Sequence, residues 1–161
     1  GDSPRYFTSL GGLSKHWAAD GPGAISNPGP TGFRAYAHRD DFDAYAAQVR
    51  YWHINWLAID PTAPIADGCT GRSDTNWLGQ GSEIFVDVPF ACDLGPNPLV
   101  FTSLSQVGDF VPVLGPTSIQ LLSSDTFRIW VRQDREEDVF DAEYAKQHDW
   151  RIDWLAIRAP P

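Results

Sequence analysis

Two aromatic residues, Tyr36 and Trp130, occupy matching outward positions in two predicted strands, and each is followed by a charged loop. An aromatic ring offers an apolar face on which the apolar face of a sugar can stack, while carboxylate and guanidinium groups bond to the sugar hydroxyls. The two loops supply such groups at Asp40, Asp41, Asp134 and Arg135. We therefore take these six residues as the candidate carbohydrate-binding residues of the chain.

The same two aromatic residues have a second interpretation, which is burial at a subunit or inter-repeat interface. Tyrosine, tryptophan and arginine are enriched where protein surfaces meet. Arginine flanks both positions, as Arg34 beside Tyr36 and Arg128 beside Trp130. Both interpretations remain open from the residues alone.

The acidic segments at 39–41 and 134–138 also have two interpretations. Clustered carboxylates suit Ca²⁺, a hard cation that prefers oxygen ligands, although the spacing matches no EF-hand loop. The alternative is that these are solvated loops that keep an acidic protein soluble. We therefore expect no required cofactor, with Ca²⁺ as the metal that the loops could hold.

Several classes of function are disfavoured by composition. The net charge is −9 and the basic residues form no run, which argues against a nucleic-acid partner. No apolar run is long enough to cross a bilayer, so no transmembrane segment is predicted. The chain has no Gly-x-Ser-x-Gly, His-Glu-x-x-His or phosphate-loop motif, and its four histidines are scattered. We therefore do not predict an enzyme.

The chain contains an internal repeat. The segment 52–59 (WHINWLAI) recurs at 150–157 (WRIDWLAI), 98 positions later. The segment 7–10 (FTSL) recurs at 101–104, 94 positions later, so the copies are collinear with a net four-residue insertion in the second. Conserved order and spacing over more than fifty residues indicate a tandem duplication.

The two copies differ in extent. Before its FTSL segment the second copy has a long lead, 60–99, whereas the first has only 1–6. We therefore divide the chain into a partial repeat at 1–60, whose first strand is missing, and a complete domain at 61–161. Either the chain is a piece of a longer tandem protein, or a partner supplies the missing strand, because an unpaired sheet edge is a site of association unless it is covered.

Hydrophobic residues alternate with a period of two through most of the chain, which predicts short strands. Phe33 and Phe127 begin inward-facing sets in equivalent strands, and Trp56 and Trp154 are predicted to be core residues of the closing strands. Gly-Pro-rich segments separate the strands. The segments 42–50 and 140–147 could each form a turn or two of helix, or could equally continue a strand. The pattern predicts an all-β, antiparallel sandwich.

The two cysteines, Cys69 and Cys92, lie in glycine-rich, loop-like surroundings. We favour an intrachain disulfide between them, and two free thiols or a bond between chains remain the alternatives.

An ordered series of features in the second copy resembles the H-type lectin domain of snail agglutinins and discoidins. The series consists of Cys69 and Trp77, the 89–92 segment (PFAC), the 98–104 strand (PLVFTSL), Phe127 with Arg128, and the 152–157 strand. The resemblance covers about residues 65–158. The first copy resembles a C-terminal half of the same domain.

The resemblance implies a six-stranded antiparallel sandwich that often forms trimers. It also implies binding of galactose or N-acetylgalactosamine, without a required metal, at clefts between subunits. The sugar-binding residues of the family are replaced here. Its arginine upstream of the phenylalanine corresponds to Asp20 and Leu114, and its Trp-His pair corresponds to Asp40–Asp41 and Asp134–Arg135.

Two functions are therefore expected. The first is a non-enzymatic, extracellular or cell-surface lectin-like module that binds glycans or glycoproteins, of the galactose/N-acetylgalactosamine type or another kind, and that self-associates. The alternative is a structural building block of an extracellular assembly or filament, in which a neighbouring subunit completes the partial repeat.

Overall fold

The computed structural model describes residues 4–11, 22–37, 53–80, 83–106, 113–133 and 141–160. Together they form an all-β, sandwich-like fold, as the alternating pattern predicts. The first copy contributes β1 (Arg5–Gly11), β2 (Pro22–Gly29), β3 (Gly32–Ala37) and β4 (His53–Ile59). The second contributes β5 (Gly68–Arg72), β6 (Leu78–Gln80), β7 (Glu83–Pro89), β8 (Leu99–Gln106), β9 (Val113–Leu121), β10 (Thr126–Gln133), α1 (Ala142–Gln147) and β11 (Arg151–Ile157).

Helix α1 lies within the 140–147 segment for which a short helix was one of two predictions. The side chain of Asp141 caps it by accepting a hydrogen bond of 2.7 Å from the backbone N–H of Tyr144. The other such segment, 42–50, lies outside the described residues.

The strands form three sheets among the described residues. One has the order β6-β7-β10-β9, a second has the order β3-β2-β8-β11-β5, and a third pairs β1 with β4. The first sheet and the β8-β11-β5 part of the second enclose the principal core. The buried core residues are Trp77, Ile84, Val86, Val88, Leu94, Leu104, Phe127, Ile129, Val131, Ala145, Trp150, Ile152, Trp154 and Ala156.

The strand pairs of the two copies have the same register. In the first copy Phe7 of β1 lies opposite Leu57 of β4, and in the second Phe101 of β8 lies opposite Leu155 of β11. The β2–β3 and β9–β10 pairs also agree, including an irregularity of register in each. Their corresponding pairs are Ser26–Arg34 with Gln120–Arg128, Ile25–Ala35 with Ile119–Ile129, and Pro22–Ala37 with Pro116–Val131. Equivalent sequence therefore forms equivalent strand pairs.

One pairing departs from the predicted antiparallel arrangement. Strand β2 of the first copy runs parallel to β8 of the second, with Ile25 opposite Ser105 and Ser26 opposite Gln106. All four residues are buried. The β2–β3 and β9–β10 pairs are antiparallel hairpins joined by short turns, whereas this contact joins strands from different copies.

The inward ring of Trp154 on β11 connects the two sheets of the second copy. It lies 5.9 Å from the Phe127 ring and 5.8 Å from the Phe90 ring, nearly perpendicular to both. Gly71 of β5 lies opposite Trp154, and any side chain there would overlap the indole. Trp154 is consequently only 2% exposed, which confirms its predicted core position.

The matching prediction for the first copy is wrong, because Trp56 is 63% exposed. Its ring keeps the edge-on contact with Phe33, at 6.2 Å and 70°. Strand β4, however, pairs only with β1 among the described residues, so no described strand lies beside it as β5 lies beside β11. The Phe33 ring is contacted by the Tyr6 ring, with centroids 4.4 Å apart. An inward-facing position is buried only when a second layer covers it.

A disulfide joins Cys69 of β5 to Cys92, just beyond β7, with their Cα atoms 6.1 Å apart. The predicted intrachain bond is therefore present. Because β5 and β7 belong to different sheets, the bond links the two layers at one end of the core.

A buried carboxylate also connects β5 with the closing strand. Asp153 of β11 is fully buried and accepts hydrogen bonds of 2.6 and 3.0 Å from the Arg72 guanidinium. The hydroxyl of Ser105 donates a third bond of 2.6 Å. In the first copy the position of Asp153 is held by the neutral Asn55, and the position of Ser105 by Gly11.

We expect the Cys69→Ser/Cys92→Ser variant to unfold with a free energy about 3 kcal/mol smaller than that of the native chain. The reason is that the bond closes a loop with a sequence separation of 23. Urea titration followed by circular dichroism measures the difference, and reduced native protein should reproduce it. Equal stability of the oxidised chain and the variant would contradict this role.

We expect Arg72→Met to lower the free energy of unfolding by roughly 3 kcal/mol, because it leaves the Asp153 carboxylate buried without its cation. Adding Asp153→Asn should restore much of the loss, since Asn55 shows a neutral side chain at this position. Arg158→Met, at an exposed arginine, is the control, with a change within about 0.5 kcal/mol. A double variant as unstable as Arg72→Met would contradict the charge argument.

Candidate functional site

Four side chains form an aromatic–ionic cluster on the outer face of the β7–β10 pair. They are Phe85 and Asp87 of β7, and Arg128 and Trp130 of β10. Alternation places them opposite the core, since their strand neighbours Val86 and Ile129 are fully buried.

Register then sets the pairs within the cluster. Trp130 lies opposite Phe85, with ring centroids 4.7 Å apart, and Arg128 lies opposite Asp87. The Arg128 guanidinium also lies 4.1 Å from the centre of the Phe85 ring and 5.8 Å from that of Trp130. Cation–π attraction therefore fixes the guanidinium over the aromatic pair.

The ion pair of the cluster is bidentate. Arg128 Nε donates to Asp87 Oδ1 at 2.7 Å, and an Arg128 terminal nitrogen donates to Oδ2 at 2.9 Å. The hydrogen bond from Arg128 lowers the pKa of the Asp87 carboxyl, and the same bond raises the pKa of Arg128. Both side chains remain part-exposed, at 26% for Arg128 and 38% for Asp87. The pair thus stays charged near neutral pH while its outer edges face solvent.

A polar groove of about 480 Å³ adjoins this cluster, since Asp87 lines both. Arg72 and Asp74 lie on the β5 side of the groove, and the half-buried Phe90 contributes aromatic surface. Charged donors and acceptors beside aromatic faces are the groups that a hydroxyl-rich ligand requires, because they bond to its hydroxyls while the rings contact its C–H faces.

A second concave surface has a different character. A cleft of about 400 Å³ lies between the β1–β4 pair of the first copy and the β8–β11 pair of the second. Its lining is mainly apolar, with Phe7, Trp56, Leu57, Phe101 and Leu155 beside the polar Thr8, Ser9 and Asn55. Because Phe7 and Leu57 are the equivalents of Phe101 and Leu155, the cleft forms where like strand pairs of the two repeats meet.

The structure describes only part of the predicted site. Trp130 is half-buried in the aromatic–ionic cluster. Tyr36 lies on β3 at the equivalent position, and the described structure covers its backbone only. The four charged candidates, Asp40, Asp41, Asp134 and Arg135, lie outside the described residues.

Sequence reasoning missed Phe85 and Asp87 as partners of Trp130. Alternation within 83–90 places both residues on one face, and the opposite charges of Asp87 and Arg128 are a signal for cross-strand pairing. Identifying Phe85 and Asp87 as the partners of Trp130 and Arg128 requires the register between β7 and β10, which cannot be read from the sequence alone.

The described residues contain no group of three or more potential metal ligands from histidine, cysteine, aspartate and glutamate. The acidic segments considered for Ca²⁺, 39–41 and 134–138, lie outside the described ranges, so that interpretation stays a prediction. No helix in the described part of the chain is long and apolar enough to cross a membrane.

Comparison with known proteins identifies no relative of this chain. No family model matches it, and no significant match occurs among curated proteins or solved structures. The resemblance to H-type lectin domains therefore stays a prediction that rests on the residues that suggested it.

Proposed function

We propose that this chain is a non-enzymatic, extracellular carbohydrate-binding module of lectin type. The observation that carries the proposal is the aromatic–ionic cluster, in which part-exposed Trp130 lies beside a bidentate Arg128–Asp87 pair. Trp130 offers a stacking surface, and the ion pair offers fixed donors and acceptors for hydroxyl groups at its solvent-facing edge.

The polar groove supports an extended ligand. A sugar stacked on Trp130 has neighbouring polar groups along the path from Asp87 to Arg72 and Asp74. The groove therefore suits an oligosaccharide better than a single monosaccharide. Galactose- or N-acetylgalactosamine-type glycans are the first class to test, because the motif series resembles H-type lectins.

The extracellular assignment is supported by the disulfide. Bonds of this kind form and persist in oxidising compartments and are rare where thiols are kept reduced. A glycan or glycoprotein at a cell surface is the corresponding partner.

We expect the native chain to bind at least one glycan class on an array, and Trp130→Ala to weaken that binding by about tenfold or more, the effect of losing a central aromatic contact. Arg128→Lys should weaken it as well, because lysine keeps the charge but cannot form the planar bidentate pair. Titration calorimetry with the best glycan measures both effects.

The control for this test is Leu122→Ala, an exposed apolar residue at the β9–β10 turn. Its binding should equal that of the native chain. No glycan binding at high micromolar protein, or unchanged affinity in a folded Trp130→Ala variant, would contradict the proposal.

A second candidate function is favoured by a different observation. Trp56 is 63% exposed on β4, a strand whose edge opposite β1 has no partner among the described residues. Exposed aromatic surface beside an open strand edge suits association. The alternative proposal is therefore a building block of an extracellular assembly, in which a neighbouring subunit completes the first copy.

For this second function we expect self-association that depends on concentration in sedimentation velocity. Trp56→Ser should weaken it by roughly thirtyfold, because truncation of a central interface tryptophan costs about 2 kcal/mol. Leu122→Ala again serves as the control. A chain that stays monomeric at every concentration would contradict assembly through this face.

A further inference from the structure

The second copy shows what covers the closing tryptophan in a complete domain. Strand β5 pairs with β11 on the side opposite β8, and β7 pairs with β10 on the side opposite β9. Gly71 of β5 leaves room for the Trp154 indole, and Phe90, which follows β7, packs on both Trp154 and Phe127. The β5–β7 segment therefore supplies one edge to each sheet and the aromatic cover for the tryptophan.

The first copy presents the complementary surface without this cover. We call the open strand edges, the exposed ring of Trp56 and the half-buried ring of Phe33 together the open face. Strand β4, the equivalent of β11, pairs only with β1 among the described strands, and β3, the equivalent of β10, lies at the edge of its sheet.

The aromatic pair of the open face is already arranged as in the complete domain. The Trp56 and Phe33 rings lie 6.2 Å apart at 70°, against 5.9 Å and 77° for Trp154 and Phe127. Exposure separates the two tryptophans, at 63% for Trp56 and 2% for Trp154. The first copy is thus preorganised for a cover of the same shape, which reduces the entropic cost of binding one.

The residues of the open face also specify the chemistry of the occupant. By equivalence of register, glycine belongs opposite Trp56, as Gly71 lies opposite Trp154. Since Asn55 is uncharged, no counterpart of Arg72 is required.

We propose that the open face is the docking site of a β5–β7-type segment from a further repeat unit. Such a segment has a glycine in its first strand and a phenylalanine directly after its last strand, as Gly71 and Phe90 are placed in the second copy. The inference rests on the second proposed function and names its partner. In this chain β5 and β7 already cover Trp154 of the second copy. If two molecules of the chain exchanged these strands, each Trp56 that became covered would leave one Trp154 exposed.

A chimera tests the proposal directly. Since Leu99 of the second copy corresponds to Arg5 of the first, residues 61–98 placed directly before residues 5–161 extend the first copy with the lead that the second possesses. We expect hydroxyl-radical labelling of Trp56, read by mass spectrometry, to fall by on the order of tenfold toward the level at Trp154. Hydrogen exchange at the β4 amides should slow by about the same factor.

The matched control is the same chimera with Gly71→Val in the added segment alone. A side chain there overlaps the indole, so Trp56 should stay labelled, while the unaltered second copy reports that the chain is folded. The oxidised 61–98 peptide, added in trans to the native chain, is a second arm that is independent of folding of the fusion. Protection of Trp56 in either arm, and its loss in the Val variant, supports the proposal.

The proposal would be overturned if the labelling of Trp56 and the hydrogen exchange of β4 stayed unchanged in both arms. It would also be overturned if the Gly71→Val control protected Trp56 as well as the unaltered chimera does. Sedimentation of the native chain separates this inference from the proposed assembly. If the added segment protects Trp56 but the native chain stays monomeric, the docking site is supported and assembly through a neighbouring subunit is rejected. If the native chain self-associates but the added segment does not protect Trp56, assembly is supported and the docking site is rejected.

Discussion

The perpendicular packing of Trp154 on Phe127 is the contact on which the sandwich of the second copy depends. One ring belongs to β11 and the other to β10, so the pair joins the two sheets. The indole fits because Gly71 has no side chain, and Phe90 closes the remaining side. The disulfide and the ion pair between Arg72 and the buried Asp153 tie the same β5 strand to its surroundings, and they hold this end of the core together.

The first copy shows the same contact without its surroundings. Trp56 and Phe33 adopt nearly the same ring geometry, and the flanking strand pairs have the same registers, yet Trp56 faces solvent. The strands that both copies possess are therefore sufficient to form the strand pair and the aromatic contact. Burial requires the additional cover that β5 and Phe90 provide in the second copy. The proposed functions follow from this difference, one using the outer face of the second copy and the other the open face of the first.

Much of the fold could be predicted, because alternation and repetition are local properties. The strands around Phe127 and Trp154 and their inward faces follow from period-two patterning. The Cys69–Cys92 bond was the favoured one of the possibilities that the cysteine context left open. The parallel contact between β2 and β8 could not be predicted, since it depends on how the copies pack. For the site, Trp130 was found from its outward position, whereas Phe85 and Asp87 became its partners only through the register between β7 and β10.

The sequence by itself determined the all-β class, the duplication and the faces of each strand, because these depend on residue type and spacing along the chain. Tertiary structure decided which of two nearly identical strands is buried. The segments 53–59 and 151–157 share the pattern Ile-x-Trp-Leu-Ala-Ile, but only the second lies between β8 and β5 under the Phe90 ring. Hydrophobic burial is a property of the layers that meet, so one strand motif forms a core in one copy and a surface in the other.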